Sequence, residues 1–149
     1  MEQAINALDS RLRGNDGKTE PVAPHWSAGY VGLPYVRGEF DCAGLVERVL
    51  TEVFGRQVSL PKERAAHVVG LSVQIAEHRS EFARRIDSPS EGDGVLMVGR
   101  GRINHIGVFC RIDESYVLHN MRNAGQVCLH RVRDLERYGL FIEGYYRWR

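Results

Sequence analysis

The sequence predicts an α+β domain, with helices in its first half and an antiparallel sheet in its second. Two observations predict it. Residues 41–54 repeat apolar side chains at helical spacing, whereas beyond residue 94 the apolar runs shorten to strand length and turn residues separate them. Helices first and strands second favour α+β over an alternating parallel architecture. The 149 residues fit one domain, 1–149, preceded within itself by a helix-and-loop extension over 1–24. A chain of this length buries roughly 70% of its unfolded surface.

Each element has its own signal. Residues 3–13 place Ile5, Leu8 and Leu12 on one side of a short helix. Gly14 to Pro24 is rich in glycine, proline and polar residues and reads as a loop. In the strongest pattern Leu45, Val46, Val49, Leu50, Val53 and Phe54 form one face, and Glu47, Arg48, Thr51 and Glu52 the other. Asp41 suits the N-cap and Gly55 the stop. Pro61 opens a second helical stretch from about Lys62 to Ile75, and residues 77–94 read mainly as connection. Five β-rich runs follow: Val95–Val98, Ile103–Ile112, Tyr116–Asn120, Val127–Val132 and Leu140–Trp148. They predict a sheet of five to six strands.

Composition removes several functions. Twenty basic against nineteen acidic residues leave a formal charge of +1, without the basic excess that nucleic-acid binding requires. No apolar run approaches the ~18 residues that span a membrane, so no membrane partner is expected. Met1 to Arg13 has no apolar signal-peptide core, which places synthesis in a cytoplasm. Cys42, Cys110 and Cys128 are an odd set without metal spacing. No disulfide framework, metal or other cofactor is expected, and Cys110 and Cys128 read as buried and inert.

Cys42 stands at the first turn of the strongest helix. There the positive end of the helix dipole favours thiolate, and free N–H groups can stabilise an oxyanion. A thiol nucleophile needs a base, and His105 lies mid-strand in Asn104-His105-Ile106-Gly107-Val108. The base needs an orienting partner. His119 ends the next strand, with Asn120 as the alternative. A two-residue turn at 113–114 would put His105 and His119 on opposite faces of the sheet. A three-residue loop, 113–115, or one bulge, unites them. Taken alone, such a cysteine is more often a small core residue, and His105 is a satisfied strand histidine as often as a base. His25, His67 and His78 read as loop or solvated residues. His130 alternates with apolar strand neighbours and is not assigned a role.

Together these segments resemble the NlpC-type cell-wall peptidases. Gly32-Leu33-Pro34-Tyr35, then Asp41-Cys42-Ala43-Gly44-Leu45-Val46, resemble that family's Gly-x-Pro-Tyr and Asp-Cys-Ser-Gly-Leu-Val. Glu91-Gly92-Asp93-Gly94-Val95 resembles its Pro-Gly-Asp-Leu-Val, and His105-Ile106-Gly107-Val108 its His-Val-Gly-Ile. Leu118-His119 resembles the strand bearing its third catalytic residue. The resemblance implies a papain-like fold, with Cys42, His105 and His119 catalytic, and cleavage of an amide bond in peptidoglycan stem peptides, often D-γ-glutamyl to diamino acid. It implies that Tyr35 lines the site and that Asp41 helps to hold the stem's amino end, though N-capping alone would explain Asp41. Ala43 departs from a serine that can contact that amino group, so the exact bond is open. Gly94 departs from an apolar residue, read as neutral.

The stretch from Cys42 to Gly55 and the C-terminal Gly144 to Arg149 are similar to phage-tail members of the family. A virion- or tail-associated enzyme acting at the wall, with tail proteins as partners, is therefore expected. A type VI secretion amidase effector, a structural tail-assembly component with little activity and an acyltransferase on the same scaffold are the alternatives.

Overall fold

The computed structural model describes residues 24–60 and 83–149. The expected helices at 3–13 and 62–75 and the loop of 14–24 (except its last residue) lie outside the described residues, as does part of the 77–94 connection. The main helix, α1, covers Cys42–Glu52. Asp41 caps it, its Oδ1 accepting from Gly44 N at 2.8 Å. At the other end Gly55 turns to φ +64°, and Arg56 N–H returns to Leu50 O at 2.8 Å. The periodic residues Leu45, Val46, Val49 and Leu50 are buried, while Arg48 and Glu52 pair on the outside at 3.1 Å.

Among the described residues six strands follow: β1 (Ala83–Ile86), β2 (Gly94–Gly99), β3 (Arg102–Arg111), β4 (Ser115–Met121), β5 (Gln126–Arg131) and β6 (Leu140–Trp148). All pairings are antiparallel, in the order β1-β6-β2-β3-β4-β5. With α1 on one face, this is the α+β, papain-like arrangement that the sequence predicts. β1 is the strand that sequence reading left in a connection. Its Ala-Arg-Arg-Ile has no apolar alternation, because an edge strand pairs through one side only and leaves Arg84 and Arg85 exposed.

The sheet is buried on both faces. Leu45, Val46, Val49 and Leu50 of α1 share a core with Val108, Leu118, Val127 and Leu129. Behind the sheet a smaller core of Val95, Met97, Phe109, Val117, Leu135 and Leu140 includes Leu135 from a 3-10 helix, η2 (Val132–Tyr138). The outer edge of β5 is covered by residues 32–35. Gly32 N donates to Val127 O, Val127 N to Leu33 O and Tyr35 N to Gly125 O, each at 2.9 Å.

Gly94 is not neutral. A Cβ there would lie 2.7 Å from the Trp148 ring, whose Nε1 donates to Gly92 O at 2.8 Å. A larger side chain at 94 requires the Trp148 ring to shift. Glu91, in the same turn, accepts from Arg111 N at 2.6 Å and Trp26 Nε1 at 2.9 Å and pairs with His25 at 2.9 Å. That cluster ties the short turn Trp26–Gly29 to the end of β3.

Candidate active site

The start of α1 is fixed from three sides. The Asp41 carboxylate holds the first turn from within. Asn120 Nδ2 donates to Phe40 O at 2.7 Å and lies 3.4 Å from Asp41 O, which joins the entry of the helix to β4. A Cβ on Gly44 would stand 2.7 Å from Glu39 O, so this glycine lets the preceding loop close on the helix. Cys42, 4% exposed, is thereby held at the positive end of α1, where an anion is favoured.

The histidines come from the sheet. The β3–β4 loop has three residues, 112–114, one position earlier than expected but with the required odd parity. Gly107 faces His119 across the ladder, and His105, two residues before Gly107, shares the face of His119. His105 Nε2 lies 2.8 Å from His119 Nδ1. Gly107 is needed for this approach: a Cβ there would be 2.6 Å from Val117 Cγ1 and 2.8 Å from Leu118 O.

His119 continues to a third ring. Its Nε2 lies 2.9 Å from His130 Nδ1, and His130 stacks on Tyr138 with centroids 4.0 Å apart and planes at 20°. Register explains the meeting. His119 faces Cys128 and His130 faces Val117, so both histidines project from one side of the β4–β5 pair. Burial pushes the His105 imidazole down to about 4, helped by His130. It pushes His119 well below the ordinary range, with the neighbouring histidines adding to the effect. His130 also falls to about 4 through burial, partly opposed by Asp134. All three rings are therefore neutral at neutral pH. A neutral His105 accepts a proton, as a general base must.

One cleft of about 580 Å³ joins these parts. Tyr35, Cys42, His105 and Asn120 line it, with Arg100, Arg122 and Tyr138. His105 Nε2 is bonded to His119 Nδ1, and His105 lines the cleft. Asn120, the alternative orienting residue, instead bonds the backbone before Cys42. Asp41 and Ala43 are buried, at 0% and 2% exposed, with the Asp41 carboxylate engaged at the helix cap. The remaining thiols are raised by burial, Cys110 strongly so, which suits inert core positions.

Sequence reasoning missed His130, Arg100, Arg122 and Tyr138. For His130 a signal existed: with a four-residue β4–β5 connection, parity alone places 130 on the face of 119. For Arg100 there was none, since it sits at φ +54° in the β2–β3 turn, a conformation its residue type does not announce.

A cysteine at a helix start and a histidine pair on an antiparallel sheet, sharing one cleft, define a papain-like cysteine hydrolase. The model of the NlpC/P60 family matches residues 32–136, and the chain belongs to that family of cysteine peptidoglycan hydrolases. No curated protein and no solved structure matches the chain.

Proposed function

We propose that this chain cleaves an amide bond within the stem peptide of peptidoglycan, at a D-γ-glutamyl to diamino acid junction, and does so as a phage or prophage tail-associated enzyme. The carrying observation is the shared cleft, which holds Cys42 and His105 with His119 bonded behind the base. His105 Nδ1 takes the Cys42 proton, and the thiolate adds to the scissile carbonyl carbon. The oxyanion forms at the N-terminus of α1, where backbone N–H groups face developing charge. His105 then gives its proton to the leaving amine, and a thioester remains on Cys42. Water, deprotonated by His105, adds to the thioester, and the thiol leaves as the carboxylic acid forms.

The charge of the cleft supports a stem peptide, which carries free carboxylates. Arg100 and Arg122 are the cationic lining residues of that cleft. The tail assignment rests on the sequence similarity of residues 42–55 and 144–149. Digestion of purified peptidoglycan, with products read by mass spectrometry, tests both the substrate and the bond. New amino termini on diamino acid residues support the reading. Release at another bond replaces the specificity, and no release from several wall types removes the enzymatic reading. Co-sedimentation of the chain with tail particles supports the tail assignment, and its absence from such particles refutes it.

A further inference from the structure

The third ring of the histidine chain has no role in the reaction above, yet it is built as carefully as the second. His119 has no exposed surface and His130 only 7%. Both ring nitrogens of His119 are engaged, Nδ1 at 2.8 Å and Nε2 at 2.9 Å. A neutral imidazole carries one N–H donor and one acceptor nitrogen. A row of three neutral rings joined nitrogen to nitrogen therefore has two consistent proton arrangements. In one, each Nε2–H donates toward His130 and His105 Nδ1 keeps its lone pair. In the other, each Nδ1–H donates toward His105, whose own Nδ1 then carries a proton and cannot act as a base.

We propose that His130 is a positioning residue, which accepts the His119 Nε2–H and so holds the histidine chain in the arrangement that keeps a lone pair on His105 Nδ1. The inference rests on the proposed reaction for its consequence, but the proton arrangement itself is a property of the protein without substrate. Without an acceptor at 130, His119 would bury an unpaired N–H, which native interiors avoid. The chain would then relax toward the other arrangement. The face of His130 is kept in place by Tyr138, whose ring stacks on it from the end of η2 and also lines the cleft. Asp134, on the same element, is the nearby carboxylate that acts on the ring. Val117 faces it from β4.

The test uses the full chain with 15N-labelled histidine. In the wild-type protein, ring 15N shifts and their couplings are expected to show the Nε2–H tautomer at His105, His119 and His130. An Nδ1–H tautomer at His119 overturns the proposal outright and requires no variant. His130→Phe keeps a ring for Tyr138 to stack on but offers no acceptor, whereas His130→Asn restores an acceptor oxygen near the position of Nδ1. With thermal melting as the control for folding, His130→Phe is expected to shift His119 away from Nε2–H and to lower kcat at least about 10-fold with KM little changed, a wrong tautomer being costly in a triad. His130→Asn is expected to recover both. Wild-type shifts and kcat in folded His130→Phe, or equal losses in the two variants, overturn it. Should the wild type cut no wall preparation, the proposed reaction fails while the tautomer measurement still decides the role of His130.

Discussion

Individual side chains carry most of the chemistry. Replacing His119 with Ala leaves Cys42 and His105 in the cleft but frees His105 Nε2. We expect kcat to fall about 10²-fold with KM nearly constant, measured on a stem-peptide fragment. Asp41 has two candidate roles, and one substitution separates them. Asp41→Asn keeps a capping oxygen for Gly44 N, so stability should hold within about 1 kcal/mol by thermal melting. Activity that also holds identifies Asp41 as a cap, whereas a raised KM at full stability identifies it as a substrate contact. Arg100→Ala is expected to raise KM severalfold without changing kcat. An unchanged KM would remove Arg100 from substrate recognition. At this scale the sequence was legible where a motif exists. Cys42, His105 and His119 each sat within a recognisable string, whereas His130, between Leu129 and Arg131, did not. Its partner is eleven residues away across a hairpin, and only the register brings the two together.

Secondary-structure elements decide which of those side chains meet. The odd loop between β3 and β4 decides whether a histidine pair exists at all, and the observed register has the odd parity that puts His105 and His119 on one face. The ladder also makes Gly107 a site of close approach. Gly107→Ala should push β4 outward at His119, destabilise the domain by about 1–3 kcal/mol and lower kcat more than it raises KM. Wild-type stability and kcat in this variant would show that the strand yields without cost. The apolar strands and α1 were legible because their periodicity reports burial on one or both faces. Strand β1 and η2 were not. One is a charged edge strand, and the other is a 3-10 segment whose buried hydrophobic residue is Leu135. Strand β1 depends on β6, far along the chain, and η2 on a core behind the sheet, and local periodicity carries no trace of either.

For the molecule as a whole, three neutral imidazoles in one row couple folding to acidity. Their folded-state values lie below the ordinary histidine value of 6.5, with His105 and His130 at about 4. The unfolded chain therefore binds more protons between pH 6.5 and pH 4, and stability rises with pH across that window. The melting temperature is expected to be level from these groups above pH 6.5 and to fall as pH drops toward 4. A melting temperature that is flat over that range would show that the rings protonate without disturbing the fold. The same row stands behind His105, the proposed base for Cys42. The most direct measurement is intact-mass analysis of the protein, quenched in acid during turnover of a stem-peptide fragment. A mass increase equal to the acyl half of the substrate, localised to Cys42 and absent from Cys42→Ala, is the predicted result. Turnover without that adduct in Cys42→Ala, or an adduct on Cys110 or Cys128, would contradict the assignment of Cys42 as the nucleophile.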